Sequence, residues 1–107
     1  MTSAMAYALS DHDKAQVAHV CERYGVSELL IFGSSVRGDF KPASSDIDLL
    51  VAFRPGERVG WFRFSELQEA LESVFRREVH LVPKNGLRPV FRENVLAEAV
   101  PLFHDPR

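Results

Sequence analysis

The chain has little of several features that mark particular protein classes. It has one cysteine in 107 residues, Cys21, so neither an internal disulfide nor a cysteine-based zinc site can form. No apolar run approaches the roughly 18–20 residues that cross a bilayer. The first ten residues also lack the basic start and long apolar stretch of a signal peptide. These features favour a protein of the reducing cytoplasm that has no membrane segment.

A strong excess of charge is also absent. Lys and Arg together number 13 and Asp and Glu 15, which gives a formal net charge of −2. Proteins that hold long nucleic acids by their phosphates generally present a basic face, so direct nucleic-acid binding is not expected here. The apolar content of 46% fits a soluble globular protein with one core. We place this domain over residues 10–104, after a loose N-terminal leader over residues 1–9.

The order of apolar and turn-forming residues predicts an α/β (α+β) domain. A first helix begins near Ser10 and ends at Gly25. Further helices are expected over residues 61–75 and from Pro89 to Pro101. Three apolar segments are predicted as strands: residues 28–32, 46–53 and 78–82. With a short helix between the first two strands, this order indicates a small mixed β-sheet with flanking helices.

Polar residues stand where the first predicted strand ends and where the second begins. The first strand ends in Gly33-Ser34, and the second opens with Asp46-Ile47-Asp48. Alternate residues of a strand point to the same face, so the two carboxylates should project together while Ile47 faces the core. Close carboxylates repel each other, and a hard divalent cation such as Mg²⁺ relieves that repulsion, commonly together with substrate phosphates.

The turn between these strands has the chemistry of a phosphate site. Glycine lets the backbone approach a phosphate closely, and the Ser34 hydroxyl and the amides after it can donate to phosphate oxygens. Asp-x-Asp alone is more often a solvated pair, and Gly-Ser alone is only a turn, so the functional interpretation depends on their combination. Arg37 either forms a structural ion pair or contacts phosphate. Ser45 either orients Asp46 or joins the nucleotide site.

The run GSSVRGDFKPASSDIDLLV, residues 33–51, resembles the signature of the minimal nucleotidyltransferases (MNT) of the polymerase-beta superfamily. The resemblance extends over nearly the whole chain and implies a polymerase-beta-like nucleotidyltransferase fold that uses ATP and Mg²⁺, with Mn²⁺ as an alternative ion. It implies that Asp46 and Asp48 hold the metal and act in catalysis. Nucleotide binding is expected from the turn residues: Gly33, Ser34, Arg37 and Ser45.

The same resemblance implies a partner. MNT proteins occur as antitoxins in HEPN/MNT toxin–antitoxin pairs, and antitoxin members transfer AMP from ATP to a tyrosine of the HEPN ribonuclease toxin, which inactivates it. The chain is therefore expected to be a protein adenylyltransferase with a HEPN partner. Transfer to a small molecule or to an RNA end is disfavoured, because the chain lacks an acceptor domain and a basic surface.

One position departs from the family pattern. The family places a third carboxylate on the next strand, in a pattern like VDLV, whereas this chain reads Val79-His80-Leu81-Val82. A neutral imidazole can accept a proton, but it is a poorer ligand for Mg²⁺ than for Mn²⁺ or Zn²⁺. We expect His80 to line the site as a catalytic group. Glu78 lies on the same face of the strand as His80. It either takes over part of the role of the missing carboxylate or, more ordinarily, pairs with a nearby arginine.

This departure leaves a second function open. An antitoxin whose catalysis is impaired could neutralise its toxin by direct binding alone. The other histidines are expected at the surface: His12, His19 and His104. Trp61 and Phe62 cannot both face the core from the start of one helix, so one of them is expected at an interface, and a homo-oligomer is left open.

Overall fold

The computed structural model of the protein describes residues 9–33 and 46–105. In these ranges the chain forms three α-helices: α1 (Asp11–Arg23), α2 (Trp61–Phe75) and α3 (Pro89–Glu98). Four strands form one mixed sheet: β1 (Val26–Phe32), β2 (Ile47–Phe53), β3 (Val79–Pro83) and β4 (Val100–His104). A short 3₁₀ turn, Lys84–Gly86, follows β3. The predicted α/β class with a small mixed sheet is confirmed, and the short helix predicted between β1 and β2 lies outside the described residues.

The strand order of the sheet is β3-β2-β1-β4. Strand β1 runs antiparallel to β2 and β4, whereas β2 and β3 are parallel. The register sets Asp48 opposite Phe32 on β1 and beside His80 on β3. The C-terminal end of β1 therefore meets the N-terminal ends of β2 and β3 at one end of the sheet.

One face of the sheet packs against α1 and α2 and forms the core. The register aligns Leu49 with Ile31 on one side and with Leu81 on the other. The fully buried members of this cluster include Val17, Cys21, Leu29, Ile31, Ile47, Leu49, Leu67, Leu71 and Val79. Burial of one such side chain contributes roughly 1.5–3 kcal/mol. Because side chains alternate along a strand, Asp48 and His80 lie on the opposite face of the sheet.

The helix boundaries follow local signals in the sequence. The Ser10 hydroxyl accepts a hydrogen bond from the Asp13 amide at 3.1 Å and so caps α1. Gly25, at a φ of 74°, follows the end of that helix. Helix α2 has the bounds predicted for it and ends at Arg76, which adopts a left-handed conformation with a φ of 58°. No helix within the described ranges is both long enough and apolar enough to cross a membrane.

The aromatic start of α2 lies outside the core. Trp61 and Phe62 are both exposed, at 80% and 84% of their surface, so the expectation that they do not both face the core is confirmed, and neither of them does. The reason is that the buried stripe of α2 begins later, with half-buried Phe64, and continues through Leu67 and Leu71.

The sequence does not predict strand β4, because Pro101 indicates only the end of the last helix. Proline lacks an N–H group, but it is tolerated on an edge strand. Here Pro101 pairs with Leu30, next to an irregularity in the β1–β4 register. The end of β4 is fixed by the Asp105 amide, which donates to the Ser27 carbonyl at 2.8 Å. The surface positions predicted for three histidines are confirmed: His12, His19 and His104 are exposed.

Candidate active site

Asp46 and Asp48 lie at the N-terminal end of β2. The strand begins at Ile47, so Asp46 immediately precedes it rather than opening it as predicted. Ile47 is fully buried in the core, as expected from the alternation. The two acidic side chains project together away from that core, because both contact the same imidazole ring of His80.

The His80 ring bridges the two carboxylates. Its Nε2 atom is 3.2 Å from Oδ2 of Asp46, and its Nδ1 atom is 3.3 Å from Oδ1 of Asp48. The parallel register of β2 and β3 places His80 beside Asp48. This register is fixed by the Ile47 amide, which donates to the carbonyl of Glu78 at 3.0 Å. A neutral imidazole has one N–H donor and can donate to one carboxylate, whereas a protonated ring can donate to both. The ring therefore supplies the partner that two close carboxylates need.

Glu78 completes a group of metal-ligating side chains. Asp46, Glu78 and His80 each offer one ligand atom, and these three atoms lie within 4.8 Å of one another. In the described part of the chain no arginine pairs with Glu78. An ion pair between Glu78 and an arginine was the more ordinary interpretation of the sequence. It is therefore not formed in the described part of the chain.

Gly33 brings the β1 turn against this group. Its φ is 82°, and a Cβ atom at this position would overlap Oδ2 of Asp48 and lie 3.3 Å from Asp48 Cγ. Any other residue would therefore both strain the backbone and displace the carboxylate. The glycine turn and the second acid are therefore in close contact.

Glu98 is a contributor that sequence reasoning missed. Its Oε2 atom accepts a hydrogen bond of 3.1 Å from the Gly33 amide. The two residues are 65 positions apart, and Glu98 stands in the last turn of an ordinary helix, so no local pattern marks the contact. The Gly33 amide is thus oriented toward an anionic oxygen, but that oxygen belongs to Glu98. The other predicted nucleotide-binding residues, Ser34, Arg37 and Ser45, lie outside the described residues.

The site is acidic and open to solvent. Asp46, Asp48, Glu78 and Glu98 all lie at this end of the sheet, and the side chains of Asp46 and Asp48 are 39% and 30% exposed. Such a group of carboxylates raises the local concentration of cations. The oxygen donors of the Asp pair fit a hard divalent cation such as Mg²⁺, whereas the imidazole of His80 adds a nitrogen donor.

A separate cavity lies at the other end of the sheet. Its volume is about 620 Å³, and its lining includes Phe53, Phe64, Lys84 and Arg92. None of the predicted site residues that the structure describes lines it. Two of the three basic residues that line it are engaged: Lys84 pairs with Glu28 at 2.8 Å, and Arg54 pairs with Asp105 at 2.7 Å. We therefore place the candidate chemistry at the Asp46 end of the sheet.

The mixed sheet, the acidic pair and the glycine turn together define an arrangement of the nucleotidyltransferase class. Residues 14–102 match the nucleotidyltransferase domain family. The chain belongs to that family.

Individual relatives agree with this assignment. The protein adenylyltransferase MntA of Thermococcus cleftensis is 43% identical over 79 residues, which are 74% of this chain and 77% of that protein. The solved structure of a protein described as a minimal nucleotidyltransferase is 38% identical, with a TM-score of 0.70 over 84% of this chain and 89% of that chain.

A more distant match concerns a toxin–antitoxin complex. It is a chain in the structure of tri-AMPylated Shewanella oneidensis HEPN toxin bound to MNT antitoxin. The TM-score is 0.63 and the identity 18%, over 90% of this chain and 73% of that chain. At this identity the likeness shows the fold alone.

Proposed function

We propose that the protein is an MNT-type antitoxin that transfers AMP from ATP to a tyrosine of a HEPN-family ribonuclease toxin. The observation that carries this proposal is the Asp46/Asp48 pair, set against the Gly33 turn and bridged by His80. The 43% identical relative, which is named a protein adenylyltransferase, supports the reaction type. The fold shared with a chain of an AMPylated toxin–antitoxin complex agrees with the partner.

The nucleotide and the ion are assigned to adjacent residues. Asp46 and Asp48 hold Mg²⁺, or Mn²⁺ in its place. The triphosphate is assigned to the turn, with the participants Gly33, Ser34, Arg37 and Ser45. When bound, the ion neutralises phosphate charge and helps to align the triphosphate. Because Gly33 already donates its amide to Glu98, its part is to allow close approach of the backbone rather than to donate to phosphate.

The proposed transfer is a displacement at the α-phosphorus of ATP. The tyrosine oxygen forms a bond to this phosphorus, the bond to the bridging oxygen between the α- and β-phosphates breaks, and pyrophosphate leaves with that electron pair. The proton of the tyrosine hydroxyl passes to the imidazole of His80. The carboxylate oxygens of Asp46 and Asp48, at 3.2 and 3.3 Å from the ring nitrogens, hold the ring in place for this transfer. A positioned base of this kind contributes roughly 10²–10⁴-fold in rate.

The openness of the site favours an acceptor on a protein. The His80 side chain is 55% exposed, so a tyrosine on the surface of a partner can reach the ring. An enclosed pocket for a small acceptor is not formed around His80 by the described residues. A toxin tyrosine is therefore the acceptor that this geometry accommodates best.

The test is to incubate the purified protein with ATP, Mg²⁺ or Mn²⁺, and the proposed partner, a HEPN-family toxin. Intact-mass and peptide mass spectrometry should show AMP on a toxin tyrosine. The Asp46→Asn/Asp48→Asn variant, checked for folding by circular dichroism, should show none. Absence of AMP on a folded, active toxin with either ion contradicts the proposal.

A second candidate function is neutralisation of the toxin by direct binding. It is favoured by one observation, that an imidazole rather than a third carboxylate stands beside Asp46 and Asp48. On this account the Asp46→Ala/Asp48→Ala variant still protects cells from the toxin at equal expression. Loss of protection by that variant excludes it.

A further inference from the structure

We propose that Asp46, Glu78 and His80 form a binding site for a divalent transition-metal ion of the Zn²⁺ type, in preference to Mg²⁺. We call these three residues the imidazole–carboxylate cluster. The inference deepens the proposed function and rests on it for the use of the ion in nucleotide transfer. With the ion bound, His80 is a ligand of that ion and no longer the acceptor of the tyrosine proton. Binding of the ion itself can be measured without nucleotide or toxin.

Two of the three donor atoms stand close to the spacing that a single ion requires, and the third lies nearby. Ligand atoms placed about 2.0–2.2 Å from a shared tetrahedral ion lie about 3.3–3.6 Å from one another. Nε2 of His80 is 3.2 Å from Oδ2 of Asp46, and a carboxylate oxygen of Glu78 lies within 4.8 Å of both of these residues' ligand atoms. Closing this gap requires a movement of the Glu78 side chain, which is exposed and pairs with no arginine among the described residues.

The donor set decides which ion is preferred. One imidazole nitrogen and two carboxylate oxygens supply three protein ligands and leave a position for water or substrate, which is the number of protein ligands in catalytic zinc sites. Mg²⁺ instead prefers an all-oxygen shell and keeps several of its waters. Sites containing nitrogen also bind Zn²⁺ more tightly than Mn²⁺. The histidine at position 80 therefore moves the preference away from Mg²⁺.

Asp48 supplies an independent feature of a metal site. Its Oδ1 atom is 3.3 Å from Nδ1 of His80, on the side of the ring away from Asp46. A histidine that binds a metal commonly donates its other ring N–H to a carboxylate, which fixes the ring orientation. Asp48 thus directs Nε2 toward the cluster and acts on the ion through His80. Asp46 remains a direct ligand, whereas for Asp48 this replaces the direct coordination that the family resemblance implies and that the proposed function assigns to it.

The experiment is a titration of the metal-free full-length protein with Zn²⁺ alone and with Mg²⁺ alone, by isothermal calorimetry and by competition with a chelator. We expect one Zn²⁺ per chain, bound at least about 100-fold more tightly than Mg²⁺. Co²⁺ should bind with the absorption bands of a four-coordinate site. Asp48→Asn should weaken Zn²⁺ binding by about 10–100-fold, and Glu78→Gln should also weaken it.

Two further variants sharpen the test. His80→Asp replaces the nitrogen donor by oxygen, so it should weaken Zn²⁺ binding and strengthen Mg²⁺ binding. The matched controls, His19→Asn on α1 and Glu69→Gln on α2, change exposed residues outside the cluster and should bind Zn²⁺ like the unchanged protein. Thermal melts of the metal-free variants show that each remains folded.

The inference is overturned if Zn²⁺ binds no more tightly than Mg²⁺, or if a folded His80→Asp variant binds Zn²⁺ as well as the unchanged protein. These results are separate from the AMP-transfer assay. Tight Zn²⁺ binding without transfer to the toxin contradicts the proposed function but still supports the metal site. Transfer with Mg²⁺ and no preference for Zn²⁺ contradicts the metal site alone.

Discussion

Gly33 is the residue of the site with the least freedom to change. Three constraints meet there: the φ of 82°, the contact with Asp48 that a Cβ atom would create, and the hydrogen bond from its amide to Glu98. The first constrains the backbone, the second fixes where the carboxylate stands, and the third ties the turn to the end of α3. A change at this one position therefore disturbs the acidic pair without altering a charge.

The Gly33→Ala variant tests these constraints. We expect a loss of about 1–3 kcal/mol in the free energy of unfolding, because alanine strains the backbone at this φ. We also expect weaker binding of ATP, because the added methyl group displaces Asp48. Urea denaturation and calorimetry measure the two effects. Gly86→Ala is the control, since a Cβ atom there meets Pro83 at an ordinary 3.6 Å, and ATP binding that is equal in both variants contradicts the account.

Cys21 is buried on α1 and has no part in the proposed chemistry. Burial, with a smaller contribution from the charge of Glu22, raises the pKa of its thiol from 9.0 to about 12. The folded protein should therefore resist alkylation at pH 8 and react quickly once it is unfolded, which mass spectrometry detects. Equal rates of alkylation in the folded and unfolded protein would refute this.

The same shift gives a dependence of stability on pH. Between about pH 9 and 12 the unfolded chain loses the thiol proton while the folded chain keeps it. The folded state then binds more protons, so the free energy of unfolding falls as the pH rises through this window. Cys21→Ala should lack this component of the decrease. An identical alkaline profile for the variant and the unchanged protein argues against the shift.

At the scale of elements, the structure divides into parts with local signals and parts without them. The bounds of α2 and the cap of α1 were predicted because each depends on neighbours within one turn, such as Ser10 and Asp13. Strand β4 was missed because its edge position, which makes Pro101 acceptable, depends on β1 about 70 residues earlier in the chain.

The candidate site divides in the same way. The orientation of Ile47 toward the core, with the acids on the other side, follows from strand alternation and was predicted. The bridging position of the His80 ring was not, because it requires the parallel register of β2 and β3. The Gly33–Glu98 hydrogen bond likewise joins residues that are distant in sequence. Such pairings depend on tertiary geometry that periodicity does not encode.

The end of β4 can be tested through Asp105. Its side chain is 5% exposed and pairs with Arg54, which is 25% exposed. Asp105→Ala should lower the free energy of unfolding by about 1–3 kcal/mol, less than for a fully buried pair, because Arg54 keeps some contact with water. His104→Ala, which changes the exposed neighbour, should stay within about 0.5 kcal/mol. Urea unfolding measures the free energy of unfolding of both variants. Equal stabilities would contradict the stabilising role of the Arg54–Asp105 pair.

At the scale of the whole molecule, stability and chemistry lie on different faces of the sheet. The core occupies the face toward α1 and α2, whereas His80 and Asp48 occupy the other face at one end. Substitutions in the core should therefore act on folding, and substitutions in the acidic pair on ligand binding.

The exposed aromatic residues of α2 provide a test of this division. Leu67→Ala empties part of the core and should cost about 2–5 kcal/mol. Trp61→Ala and Phe62→Ala should change the free energy of unfolding by less than about 0.5 kcal/mol, because both side chains are already in water. Thermal and urea unfolding of the three variants give the comparison. A large loss from either aromatic substitution would show that the core extends over the start of α2.

The most direct measurement is the binding of a non-hydrolysable ATP analogue, with and without a divalent ion, to the unchanged protein and to Asp46→Asn/Asp48→Asn. The account predicts that the analogue binds the unchanged protein with a dependence on the ion, and that the folded variant loses this dependence. Binding of equal strength to both proteins, with or without the ion, would contradict the claim that this acidic pair beside Gly33 holds a metal ion and a triphosphate.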